Sequence, residues 1–240
     1  MSSPTTVVLG GSSGIGLAVA RRALARGHRT VIAGRDEQRL AAAAAELPGA
    51  IARRVDAADP RAVAALFAEL KRIDHLVLAF GSRAGLGPFR ELDLASVRAG
   101  FEEKVFPQLA AAQAALPVLA ERGTLTFVTA ISARMAMPGT AGIGAANAAL
   151  EHVVPILAAE LAPLRVNAVS PGVIDTPWWD VFPAAVKDAL FAQTAKTSPV
   201  RRAGRADDVA RVVEALWDCD FVTGSVYEAD GGARVSAASV

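Results

Sequence analysis

Short runs of β-branched residues alternate with alanine-rich helical stretches along the whole chain, and this alternation constrains the fold more than any other feature. The runs Thr5 to Leu9, Thr30 to Ala33, Ala50 to Val55, His75 to Ala79, Leu125 to Thr129, Arg165 to Val169 and Val226 to Ala229 read as strands. Helical patterns separate them near Gly14 to Arg26, Glu37 to Leu47, Arg61 to Lys71, Ser96 to Arg122 with a break near Pro107, Gly142 to Leu161 and Asp207 to Trp217. Strands joined by helical crossovers run parallel, so the pattern predicts an α/β fold: a doubly wound seven-stranded parallel sheet in a three-layer arrangement. No linker or repeat divides the 240 residues, and a single domain over 1–240 is expected. The fifth and sixth runs are apolar enough to predict burial on both faces.

Composition narrows the function classes. Hydrophobic residues form 52% of the chain and charged residues 20%, which excludes disorder. The longest charge-free stretches, Val105 to Ala120 and Met135 to Leu150, hold 16 residues each, short of the roughly 20 that a membrane-crossing helix needs. Met1-Ser-Ser-Pro4 has neither the basic nor the apolar region of a secretory leader. With 25 basic against 24 acidic residues and its basic pairs scattered, the chain is a poor partner for nucleic acid. The single cysteine, Cys219, has no partner for a disulfide and no metal-ligand spacing around it, so a cytoplasmic chain without metal is expected. His28, His75 and His152 are far apart in sequence and are expected in turns or at the surface. The helix Val105 to Ala120 is too apolar for a solvated face and predicts a subunit contact, shared with Ala145 to Leu161 and broken by a charge at Ala112.

The first chemical signal is Gly10-Gly-Ser-Ser-Gly14-Ile-Gly16, which follows the first strand and opens the first helix. Glycines allow a tight turn and close approach of backbone to a pyrophosphate, and the helix amino terminus offers free N–H groups. The second strand then ends at Ala33-Gly34-Arg35. An acidic side chain there would hold a ribose 2′-hydroxyl, whereas the Arg35 guanidinium suits a 2′-phosphate, so NADP(H) is favoured over NAD(H). Asp36 is either the cap of the next helix or a ribose ligand.

These residues carry a resemblance that spans nearly the whole chain, to the classical short-chain dehydrogenases/reductases. The glycine loop resembles the family's TGxxxGxG with Leu9 for threonine; Val55-Asp56 resembles the segment that contacts adenine; Ser170-Pro-Gly-Val-Ile-Asp-Thr176-Pro resembles the segment that holds the nicotinamide. Arg202-Ala-Gly-Arg and Ala229-Asp-Gly-Gly232 resemble its carboxy-terminal signatures. The resemblance implies a Rossmann-type domain and a homodimer or homotetramer. It also implies cofactor contacts from Gly10, Ser12, Ser13, Gly14, Ile15, Gly16, Arg35, Asp56, Ala79, Gly81, Pro171, Gly172, Val173 and Thr176. The segment 177–198 resembles the substrate lid, in which Trp178, Trp179, Phe182 and Phe191 offer apolar surface, and Ile143, Trp178 and Trp179 are expected to border a hydrophobic small-molecule substrate.

The family's catalytic positions are where this chain departs from the pattern. YxxxK aligns with Ile143-Gly-Ala-Ala-Asn147, the serine thirteen residues upstream with Ala130, the asparagine thirteen residues before Pro117 with Lys104, and NNAG with Leu78-Ala79-Phe80-Gly81. Reducing a ketone requires a donor to the developing oxyanion, which Ile143 and Ala130 cannot supply. Lys104 opposite Asn147 reads as an exchange that keeps one cation near the nicotinamide ribose, which makes Lys104 the candidate catalytic residue. His152 should face elsewhere, and Ser132 and Thr129 have no obvious activating partner. Three readings follow: an NADP(H)-dependent oxidoreductase with a substituted active site, acting on an imine or another hydrophobic substrate; a dinucleotide-binding sensor or scaffold without hydride transfer; or a nonredox pocket.

Overall fold

The computed structural model describes residues 3–236, so the reading made on Met1 and Ser2 lies outside the described residues. Seven strands form one parallel sheet: β1 (Thr5–Leu9), β2 (Arg29–Gly34), β3 (Ile51–Arg54), β4 (Ile73–Leu78), β5 (Leu119–Val128), β6 (Arg165–Pro171) and, last in the chain, β9 (Val226–Ala229). Their order is β3-β2-β1-β4-β5-β6-β9, which reverses between β1 and β4. A small parallel pair, β7 (Ile174–Asp175) and β8 (Gly204–Arg205), stands beside the sheet. This is the single Rossmann-type domain expected, with the sheet between two helical layers.

One layer holds α1 (Gly14–Ala25), α2 (Glu37–Glu46) and α8 (Ala206–Asp218), whose Val19, Leu40 and Val213 pack with Val8, Ile32 and Val169 of the sheet. The other holds α3 (Pro60–Ala68), α4 (Leu94–Gly100), α5 (Phe106–Ala115) and α6 (Ala141–Glu160), whose Leu66, Ala111 and Leu150 pack with Val7, Leu76 and Phe127. Every residue of β1 and β6 is buried, as the apolar runs require. Alternate side chains of one strand therefore serve two separate cores.

Several sequence expectations are corrected. The long helix expected to reach Arg122 ends at Ala115, because Leu119 already begins β5. Its irregularity is not at Pro107, which sits in the first turn of α5, but in a π-helical turn at Phe101–Val105. The segment 177–198, expected to resemble a lid, contains a helix, α7 (Ala184–Thr197), that the strand-and-helix pattern did not include. Ala112 is only 4% exposed within the chain's own core, so a charge there would damage the fold rather than test a subunit contact. Helix α6 continues through Glu151 to 20 residues, which makes it long and apolar enough to cross a membrane by length and composition; here Ala146, Leu150, Val154 and Ala158 lie in the core beneath it.

Two of the three histidines also depart from expectation. The strand order brings His28 and His75 together at the amino-terminal end of the sheet, stacked 5.4 Å apart, with Trp217 of α8 about equally close to both. His28 Nδ1 meets Thr6 Oγ1 at 2.9 Å and His75 Nδ1 meets Thr124 Oγ1 at 3.0 Å. Among the described residues no cluster of metal-ligating side chains occurs.

Burial pushes the His75 imidazole down to about 4, with His28 adding to the effect and Asp74 opposing it; burial likewise lowers His28. A histidine whose folded pKa lies below its unfolded value near 6.5 contributes stability that is complete above that value and is lost as pH falls toward the folded one. The melting temperature should therefore drop as pH falls from roughly 6.5 to about 4. His75→Phe keeps a ring against Trp217 and should flatten that drop. Calorimetry across the window checks this, and an unchanged slope in the variant would assign the drop to other groups.

Candidate functional site

The carboxyl ends of the central strands open onto a cavity of about 690 Å³ at the point where strand order reverses. Its floor at one end is the turn between β1 and α1. Gly10 has φ +83°, and a Cβ there would lie 2.7 Å from the Ala79 carbonyl carbon and oxygen; a Cβ on Gly16 would strike the Gly10 oxygen at 2.1 Å. The turn is thus held tight by backbone against backbone. Ser13, at the amino cap of α1, makes no side-chain capping bond, and the first turn of α1 has no acidic residue. Its N–H groups are left for an anion, a cradle that suits a pyrophosphate.

Ser12, Ser13, Gly14 and Ile15 line this end of the cavity; Gly16 does not, and acts through the packing just described. Gly34, Arg35, Asp36 and Arg39 line its rim, with Asp56 across from them. The Asp36 carboxylate accepts from the Arg39 N–H at 3.0 Å, so it is engaged as the cap of α2 while Arg35 stays exposed. Arg39, a second guanidinium on this rim, was not singled out from the sequence, although it lies one helical turn beyond the Arg35 position.

At the centre the cavity is lined by Ala79, Gly81, Lys104, Ala130, Ile143 and Asn147, so the four residues that the resemblance aligns with the family's catalytic positions line one cavity. Lys104, on the π-helical turn, is 7% exposed. Its Nζ donates to Asn147 Oδ1 at 2.6 Å and to the Thr129 carbonyl at 3.3 Å. Burial pushes the ammonium down to about 8, and Glu151 pulls it back up. Ile143 is fixed at the start of α6, where its N–H donates to the Gly85 carbonyl at 3.2 Å.

Glu151 was missed from the sequence, although it follows Asn147 by one helical turn. It is 6% exposed; its Oε1 accepts from Thr129 Oγ1 at 2.9 Å and its Oε2 from Arg134 Nε at 2.6 Å. His152 is exposed and turned away, as its place on the helix predicts.

The remaining wall comes from the segment after β6. Pro171, Gly172, Val173 and Thr176 line the cavity, followed by Trp178, Trp179, Phe182 and Leu190 of the lid. Trp178 and Trp179 pack edge to face at 4.6 Å, and Trp179 Nε1 donates to the Ile174 carbonyl at 2.9 Å. Phe191 packs behind them, 6.2 Å from Trp179. Arg83, from the loop after β4, donates to the Trp178 carbonyl at 2.8 Å and lies 5.3 Å from its ring, tying the lid across the cavity.

A family model described as enoyl-(acyl carrier protein) reductase matches residues 10–234. The chain is 33% identical, over 97% of both chains, to a protein assigned as ketoacyl reductase 2 of the granaticin polyketide synthase of Streptomyces violaceoruber. It is 32% identical, over 94% of each, to the cis-4-hydroxycyclohexanecarboxylate dehydrogenase of Sinomonas cyclohexanicum. Among solved structures, a small-chain dehydrogenase in complex with NADPH matches with a TM-score of 0.83 and 28% identity, over 98% of this chain and all of that one. A short-chain type dehydrogenase/reductase from Mycobacterium ulcerans matches with a TM-score of 0.90 and 26% identity, over 98% and 92% of the two chains. The chain belongs to the short-chain dehydrogenase/reductase family of oxidoreductases.

Proposed function

We propose that the protein is an NADP(H)-dependent oxidoreductase in which Lys104, Ala130, Ile143 and Asn147 occupy the family's catalytic positions. The observation that carries this reading is the Lys104 Nζ to Asn147 Oδ1 hydrogen bond of 2.6 Å. The family's asparagine and lysine positions have exchanged residues, and the pair still meets inside the cavity. The glycine turn would hold the pyrophosphate and Arg35 with Arg39 the 2′-phosphate; Asp56 would border the adenine, and Pro171 to Thr176 the nicotinamide. When bound, the dinucleotide supplies the hydride.

The substrate follows from the walls and the charge. Ile143, Trp178 and Trp179 favour a hydrophobic molecule. A cationic imine would meet the Lys104 ammonium, and two like charges roughly 5 Å apart at an effective dielectric of about 20 repel by about 3 kcal/mol. A ketone or enone, which gains negative charge on oxygen during reduction, is drawn to the same cation. The second reading, dinucleotide binding without hydride transfer, draws on Ala130 and Ile143, which offer no hydroxyl at all. A reducing cytoplasm suits the single exposed Cys219. Assembly as a homodimer or homotetramer would use the outer faces of α5 and α6, where Phe106 is 58% and Ile156 45% exposed.

Four outcomes test these proposals. NADPH should bind at least about tenfold more tightly than NADH, about 1.4 kcal/mol, and Arg35→Ala should narrow the gap; equal affinities by titration calorimetry would remove the 2′-phosphate assignment. NADPH oxidation in the presence of aryl ketones and enones should decline as pH rises through about 8, where Lys104 loses its charge. Lys104→Met should abolish that oxidation while leaving NADPH affinity intact, whereas a wild type that binds NADPH but oxidises it with none of these compounds supports the second reading. Finally, Phe106→Glu with Ile156→Glu should give a monomer by light scattering where the wild type is a dimer or tetramer.

A further inference from the structure

Hydroxyl groups around the centre of the cavity differ in what their protons do. Thr129 Oγ1 donates to Glu151 at 2.9 Å, Thr140 Oγ1 to the Met137 carbonyl at 2.8 Å, and Ser82 Oγ to Glu103 at 2.6 Å. Ser132 is unlike them. Its Oγ accepts from Asn147 Nδ2 at 3.1 Å, and among the described residues its own proton has no acceptor.

The orientation of the Asn147 amide is settled by its neighbours. Its oxygen faces the Lys104 ammonium, which can only donate, and its nitrogen also donates to the Ile143 carbonyl at 3.0 Å. The hydrogen bonds therefore run one way, from the ammonium through the amide to the Ser132 oxygen. Each bond in such a directed chain strengthens the next, so the ammonium makes the Ser132 O–H a better donor. Ser132 is held in place by α6: a Cβ on Gly144 would lie 2.7 Å from the Ser132 carbonyl oxygen. Ser132 also borders a shallower outer hollow near Phe89 and Met135, but Asn147 and Ile143 line the main cavity and not that hollow. Ser132 lines the main cavity together with them, and its Oγ is bonded to Asn147 on that side.

We propose that Ser132 donates the hydrogen bond to the substrate oxygen, the role that neither Ala130 nor Ile143 can fill; this rests on the oxidoreductase reading above. As a ketone carbon gains the hydride, the carbonyl π pair moves onto oxygen, where the Ser132 O–H meets it. Water entering from the cavity mouth protonates the alkoxide and leaves hydroxide to the buffer, and Ser132 ends the turnover unchanged. Thr129 cannot serve, because its proton is committed to Glu151.

The test separates binding from turnover. Acetophenone labelled with ¹³C at the carbonyl is bound to the protein loaded with NADP⁺, which cannot reduce it, and the carbonyl stretch is read by infrared difference spectroscopy. The wild-type stretch should lie below that of Ser132→Ala, with Ser132→Thr restoring most of the difference and Lys104→Met reducing it. With NADPH and 1-phenyl-1,2-propanedione, Ser132→Ala should lower kcat by about 100-fold without changing NADPH affinity, the scale of losing one oxyanion donor. A stretch that does not differ between wild type and Ser132→Ala overturns the assignment, whatever the rates. A wild type that shows the shift but never oxidises NADPH keeps Ser132 as the donor and overturns the oxidoreductase reading instead.

Discussion

An ammonium sealed beneath the end of the sheet organises the centre of this protein. Removing such an ion from water costs several kcal/mol even after relaxation, and it stays charged only where the lost hydration is replaced. Asn147 and the Thr129 carbonyl accept from Lys104, and the Glu151 carboxylate supplies opposite charge from the next turn of α6. Glu151 is itself buried and is satisfied by Thr129 and Arg134; Arg134 reaches Glu228 at 3.4 Å, and Arg234 closes the series at 2.7 Å. Charges thus alternate from the cavity to the surface. Lys104 and Glu151 are the buried members, so loss of either leaves the other uncompensated, whereas Arg134, Glu228 and Arg234 are partly exposed and connect the pair to the carboxy-terminal part of the chain.

How a lysine comes to point inward from Phe101-Glu-Glu-Lys-Val105 is a matter of helix geometry. Glu102 and Glu103 are exposed while Lys104 and Val105 are buried, and the π-helical turn accommodates this. Pro107 has no N–H to give to the Glu103 carbonyl, and its ring crowds that same group. A proline perturbs the turn before it, which is why the sequence signal at Pro107 was right in kind and misplaced by one turn. Lys104 could be read as a site residue only from its place in the family pattern, because no residue type in Phe101-Glu-Glu-Lys-Val105 marks a π turn.

What was legible followed from local rules. Strand runs, the glycine turn and the reversal of strand order all arise from backbone sterics and crossover geometry, so they can be read from composition at fixed spacing. The rim after β2 was half legible: Arg35 could be placed there, but the choice between the two roles of Asp36 required seeing its carboxylate on the Arg39 N–H. Glu151 and the pair His28 and His75 could not be read, and Ser132 could be named but not its link to Asn147. Each matters through partners far away in sequence, such as Thr129 for Glu151 at a separation of 22 residues, and one chain without its fold gives no sign of such pairings.

On the proposed alignment, the exchange of a phenolic ring for Ile143 removes a proton donor and also changes the medium around those that remain. Ile143, with Trp178 and Trp179, makes the cavity wall hydrocarbon where a hydroxyl would have held water. Hydrogen bonds and charges inside such a wall act through a lower effective dielectric than the same groups would in water. The directed series from Lys104 through Asn147 to Ser132 is then worth more to a developing oxyanion than its neutral final member suggests, because the field of the ammonium reaches the substrate with little screening. The same wall makes the cation costly to bury, which is the origin of its lowered pKa. On that alignment, loss of the aromatic donor and the exchange that places a buried lysine at position 104 are coupled: an apolar pocket would tolerate the first only because the second supplies the charge, and the second would act strongly only because the pocket is apolar.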